Sequence, residues 1–128
     1  MQTGKLEHVN FTVSDPKKTA EMLCRLFGWH IRWEGEAKNA GYTIHVGSDD
    51  DYLAIYTNAG DTAGANGKNY HTAGGLNHIG VVVDDLKAAE ARVKAEGFTP
   101  HSHADYEPGT RFYFDDGDGI EFEVVSYQ

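Results

Sequence analysis

The chain has 128 residues, 40% of them hydrophobic and 24% charged, with a formal net charge of −9. That length makes one domain, or two small repeats packed as one, and it buries about two-thirds of its unfolded surface without staples. The acidic balance excludes a nucleic-acid surface, which needs excess Lys and Arg, and disfavours an anionic membrane, leaving a small molecule or a protein as the expected partner. One cysteine, Cys24, leaves no intramolecular disulfide and suits a reducing compartment. Residues 1–5 show no basic region leading into an apolar run, and nothing downstream reaches membrane-spanning length, so a cytoplasmic location is expected.

Residues 6–13 alternate and are rich in β-formers, which predicts a half-buried strand with Val9, Phe11 and Val13 on one face and His8, Asn10 and Thr12 on the other. Asp15 before Pro16 is an N-cap followed by a first-turn proline. The helix it opens carries Ala20, Leu23, Cys24 and Phe27 as one apolar stripe, and Gly28 stops it. Cys24 in that stripe reads as a buried, inert thiol. Short strands are predicted at 29–34, 42–47 and 52–58. The glycine-rich run 59–75, holding Lys68, Tyr70 and His71, has no periodicity and reads as a linker.

The second half repeats the plan. Leu76-Asn77-His78-Ile79 answers Leu6-Glu7-His8-Val9, and a strand at 76–83 leads to Asp85 as N-cap. A helix follows with Leu86, Ala89 and Val93 on one face, stopped at Gly97. Residues 98–110 are mostly polar, and His71, His101 and His103 are placed in loops, where a histidine could act as general acid or base or be merely solvated. Strands at 111–115 and 120–126 flank Asp116-Gly117-Asp118-Gly119, which reads as a tight hairpin because a calcium loop's sixth-position glycine and twelfth-position glutamate are missing. An offset of 70 over the first strand and 69 after the helix superposes the halves, matching 42–47 to 111–116 and 52–58 to 121–127. The prediction is an α+β chain of two βαβββ modules, about 5–58 and 76–127, forming a single domain joined by the linker 59–75.

Through that repeat, His8 and His78 from the two first strands and Glu123 from the last share the face away from the helices. Two imidazoles and a carboxylate on rigid strands form a facial set for a divalent ion, Fe, Mn, Ni or Zn, with positions left open for substrate. Any one such histidine is ordinarily just a polar face residue, and Glu121 with Glu123 fits a solvated face equally. It is the coincidence of three that points to a metal.

At this point the chain resembles the vicinal oxygen chelate superfamily, which includes glyoxalase I, bleomycin-resistance proteins, fosfomycin thiol transferases and extradiol dioxygenases. The carriers are Leu6-x-His8, Leu76-x-His78-Ile79, Leu26-Phe27-Gly28-Trp29 and the closing run from Arg111 to Glu123, with Gly117 where proline is usual. The resemblance implies paired modules in an open, cupped mixed sheet around a metal, often completed across a homodimer. His8, His78 and Glu123 match its ligands. The fourth ligand of glyoxalase I would fall at Ala54, which cannot bind metal, so a three-ligand set like that of the extradiol dioxygenases and the fosfomycin thiol transferases is implied. Tyr113, ten residues before Glu123, matches a site-lining tyrosine in dioxygenases and thiol transferases, and Tyr113 and Glu123 are the catalytic candidates. Tyr52, Ala54, Tyr56, Arg111 and Tyr113 are expected to line the pocket, with Tyr42 also facing inward. Fosfomycin inactivation is not expected, because basic residues beyond the closing strand are missing. The resemblance implies a glyoxalase- or dioxygenase-like metalloenzyme acting on a small oxygen-bearing molecule (lyase, isomerase or ring-cleaving type). The alternative it offers is a metal-free, bleomycin-resistance type of antibiotic-binding protein.

Overall fold

In the computed structural model, residues 2–60, 70–106 and 109–128 are described, so Lys68 and most of the expected linker lie outside the described residues. The chain divides into two compact units, Met1–Ala63 and Gly64–Gln128. No helix among the described residues is long and apolar enough to cross a membrane.

The first unit runs β1 (His8–Thr12), α1 (Pro16–Phe27), β2 (His30–Ala37), β3 (Gly41–Gly47) and β4 (Tyr52–Thr57), with a single 3-10 turn at Lys38–Ala40. Its sheet order is β1-β4-β3-β2, with β1 parallel to β4 and the other pairs antiparallel. The helix starts where the sequence says. The Asp15 carboxylate accepts from the Lys18 amide at 3.3 Å, Pro16 occupies the first turn, and Gly28 closes the end at φ 69°. Its buried face is centred on Thr19, Ala20, Met22, Leu23 and Leu26, over Ile44, Val46, Leu53 and Ile55 of β3 and β4. Cys24 is therefore a correction: it sits at the edge of that face, half-buried, although burial still pushes its thiol pKa up. Tyr42 is a second correction. It shares the helix side of β3 with Ile44 and Val46, and its hydroxyl donates to Glu34 at 2.7 Å.

The second unit runs β5 (His78–Val82), α2 (Leu86–Ala95), β6 (His101–Tyr106), β7 (Gly109–Asp115) and β8 (Glu121–Ser126), in sheet order β5-β8-β7-β6. Asp85 caps α2 through the Ala88 amide at 3.0 Å. Ala89 and Val93 pack on β7 and β8, above fully buried Phe112, Phe114, Phe122 and Val124. Each fold element of the βαβββ plan is thus present twice.

Two expectations about the second unit change. His101 and His103 do not lie in a loop; the polar segment forms β6, paired antiparallel to β7. An edge strand keeps one side open to water, so it needs no apolar alternation to form. The repeat offset also shifts by one at β3 and β7. Thr43, His45 and Gly47 face Tyr56, Ala54 and Tyr52, just as Arg111, Tyr113 and Asp115 face Val125, Glu123 and Glu121. The offset there is 68, and the one-residue slip decides which face each side chain takes. The turn after β7 is the expected tight hairpin. Its Asp116 carboxylate accepts from the amides of Asp118 and Ile120, both at 2.9 Å, which spends it on backbone.

Candidate active site

Within the first unit, the sheet face opposite α1 carries His8, Asn10 and Thr12 from β1, Thr43 and His45 from β3, and Tyr52, Ala54 and Tyr56 from β4. A cavity of about 420 Å³ opens on that face, lined by all of these except Tyr52 and walled also by Ala37, Lys38 and Asn39. His8 and His45 both stack on Tyr52, at centroid distances of 4.9 and 4.5 Å, and the Arg32 guanidinium carbon lies over the same ring, 4.6 Å from its centroid. The Tyr56 hydroxyl donates to the Lys38 carbonyl at 2.8 Å, tying the 3-10 turn to the rim. Thr43 Oγ1 is buried with no hydrogen-bond partner among the described residues.

The electrostatics of this face favour a neutral imidazole at His45. Desolvation lowers its pKa first, and the charges of His8 and Arg32 push the same way. His8 is oriented from below: its Nδ1 lies 2.8 Å from Glu7 Oε1, which also accepts from the Tyr52 hydroxyl at 3.2 Å. Those bonds to His8 and Tyr52 hold the Glu7 carboxyl below its ordinary range. With Nδ1–H given to Glu7, the Nε2 lone pair of His8 is the one left to face outward.

Within the second unit, the matching face brings together His78, Glu121, Glu123, Tyr113, Arg111, His101 and Asp115. His78 Nε2 lies 3.8 Å from Glu123 Oε1, and Tyr113 donates to that same oxygen at 2.5 Å. Arg111 Nη1 stands 3.5 Å from Glu123 Oε2. On its other side, His78 Nδ1 is 3.0 Å from the Tyr70 hydroxyl, which in turn donates a short hydrogen bond to Glu121. That bond, partial burial and the charges of Glu121, Glu123 and Asp115 push the Tyr70 pKa up to about 12. Since Tyr70 spends its proton on Glu121, its oxygen accepts from His78 Nδ1–H. His78 thus has the same tautomer as His8, with Nε2 free toward Glu123.

The predicted set is thereby sorted. His78, Glu123, Tyr113 and Arg111 converge in the second unit; His8, Tyr52, Ala54 and Tyr56 share one face of the first. His71 is exposed in a turn, and His103 pairs with Glu90 at 3.0 Å. Four residues that sequence reasoning passed over now stand at these faces: Glu7, His45, Tyr70 and Thr43. Their signal was faint, since Glu7 is simply the neighbour of a histidine, and His45 and Thr43 show their face only once the β3 register is fixed. A further group of possible ligands, His101, Asp115 and Glu121, has its donor atoms within 4.8 Å of one another.

The model of the Glyoxalase/Bleomycin resistance protein/Dioxygenase superfamily matches residues 5–124. The chain belongs to this superfamily. Among solved structures, the glyoxalase/bleomycin-resistance/dioxygenase superfamily fold is shared by a domain from Frankia sp. EAN1pec described by that same name, with a TM-score of 0.80 at 19% identity, covering 99% of this chain and 100% of that one. The fosfomycin resistance protein FosX of Mesorhizobium loti gives 0.73 at 22% identity, over 97% of this chain and 92% of that one. The trypanothione-dependent glyoxalase I of Leishmania major gives 0.78 at 15% identity, over 98% and 88%. A search of curated protein sequences finds no match. At these identities the superfamily neighbours speak for the fold alone.

Proposed function

We propose that the protein is a divalent-metal-dependent enzyme of the glyoxalase/dioxygenase type, acting on a small molecule that offers neighbouring oxygen atoms. His8, His78 and Glu123 are the proposed ligands. The observation that carries this reading is that each of the two histidines is held through its Nδ1 by an oxygen of a neighbouring side chain. Glu7 holds Nδ1 of His8 and Tyr70 holds Nδ1 of His78, so both turn an Nε2 lone pair outward, and that of His78 meets Glu123 at 3.8 Å. Imidazoles oriented through their other nitrogen and a carboxylate anchored by a tyrosine fit a first-row divalent ion.

An ion bound there supplies Lewis acidity toward substrate oxygens. The remaining work falls to the chain. Tyr113 fixes Glu123 and keeps a proton at its own hydroxyl, while Arg111 leaves positive charge beside the carboxylate. Tyr56 walls the pocket with aromatic surface, Tyr52 stacks against the His8 and His45 rings that line it, and Ala54 leaves open the position where glyoxalase I has a fourth ligand, which favours the three-ligand dioxygenase type. We further propose that the protein works as a single two-module domain in a cytoplasmic homodimer.

The test is metal content after purification without chelator or affinity metal. The expected result is near one equivalent or more in wild type, with that equivalent lost in His78→Ala. Less than about a tenth of an equivalent in wild type, with none taken up on titration, would overturn the reading.

A further inference from the structure

We propose that His101, Asp115 and Glu121 form a second divalent-cation site within the second unit, separate from the set built on His78 and Glu123. Three independent features of the fold converge on it. The first is backbone geometry. Regular pairing from His101 opposite Tyr113 would set residue 103 against Arg111, but Ala104 takes that place, and Ser102 in the extra-residue bulge sits at φ 55°. A left-handed serine is strained, and bulges of this kind re-aim a neighbouring side chain. Here the bulge delivers His101 to the face shared by Tyr113 and Asp115.

The second feature is charge. Asp115 and Glu121 stand directly opposite each other across β7 and β8. Like charges in that position repel; the Glu121 side chain is only 10% exposed, and Tyr70, which donates to its Oε1, brings no positive charge. The third is an unused lone pair. His101 Nδ1 lies 2.9 Å from the Ser102 hydroxyl, while its Nε2 is buried without a hydrogen bond among the described residues and lies 3.6 Å from Asp115 Oδ2. A ligating imidazole is ordinarily held by a hydrogen-bond acceptor on its other nitrogen, the place that the Ser102 hydroxyl oxygen takes here. Ligand atoms around a first-row ion sit about 3–4 Å apart, so a set already within 4.8 Å needs only small side-chain rotations to close.

One imidazole with two carboxylates suits Mn(II), Fe(II) or Zn(II) over a thiophilic ion. A cation there would tie the edge strand β6 to β7 and β8. The first unit has no counterpart, because its equivalents of Asp115 and Glu121 are Gly47 and Tyr52.

The experiment is Mn(II) titration of the full chain, stripped of metal, with free Mn(II) read by electron paramagnetic resonance. The expected result is two equivalents bound by wild type and one lost in each of His101→Ala and Asp115→Asn, while His78→Ala loses the other. Asp115→Asn keeps the side-chain shape, and circular dichroism confirms that each variant is folded. If His101→Ala and Asp115→Asn bind as much Mn(II) as wild type, with affinity within about twofold, the second site is refuted. Loss of all binding in His78→Ala alone refutes the second site and leaves the proposed function standing. Loss of all binding in His101→Ala and Asp115→Asn, with His78→Ala unchanged, sustains this site and refutes the other.

Discussion

The Tyr113 hydroxyl donates to Glu123 Oε1 at 2.5 Å, the same oxygen that lies 3.8 Å from His78 Nε2. Tyr113 and Glu123 are direct cross-strand partners on β7 and β8, so the backbone ladder sets the bond. Removing the hydroxyl leaves Arg111, 3.5 Å from the other oxygen, to draw the carboxylate away from the histidine. Tyr113→Phe is expected to weaken metal affinity about 10–100-fold while changing the melting temperature little, as checked by metal titration alongside thermal denaturation. Unchanged affinity would make Tyr113 a wall residue only.

Ala54 lies on the floor of the first-unit cavity, paired with Asn10 on one side and His45 on the other. It is 4% exposed, so a carboxylate there would be desolvated without a partner. Ala54→Glu is therefore expected to be less stable than wild type by about 1–3 kcal/mol without metal. Added Mn(II) or Zn(II) should raise its melting temperature by more than it raises that of wild type, because the glutamate becomes a fourth ligand. Equal metal-induced shifts would count against His8 as a ligand.

His45 gives a pH dependence with a defined sign. Burial on the sheet face depresses its pKa below that of an ordinary histidine. In the folded chain it therefore stays neutral at a pH where the unfolded chain has taken a proton. Its contribution to stability is present above the unfolded pKa, near 6.5, and is lost as pH falls through the folded pKa. The imidazole resonances of His45 in NMR titration should show the lowered midpoint, and His45→Gln should flatten the acid side of the stability curve. A midpoint at or above the ordinary value contradicts this.

In the proposed homodimer, sites shared between copies would make a complementation test possible. His8→Ala and His78→Ala homodimers are each expected to lack activity. After subunit exchange, a mixed dimer would hold one doubly defective site and one intact site, restoring about a quarter of the wild-type sites. Assay of the mixture against each variant alone reads this out. No recovery would mean that His8 and His78 serve one chain.

What the sequence by itself determined is the doubled βαβββ plan and the faces of its first and last strands. Asp15-Pro16 and Gly28 mark one helix, and Asp85 marks the start of the other, because caps are local chemistry. The alternation of Phe122 and Val124 with Glu121 and Glu123 is likewise legible, since a strand buried on one side must alternate. Only the tertiary structure decided the β3 and β7 register, which takes Tyr42 off the pocket face and puts His45 on it. It alone made β6 a strand, with a bulge that turns His101 toward Asp115. Register and edge pairing are set by partners distant in the chain, and a one-residue slip reverses every side chain, so local pattern cannot reach them.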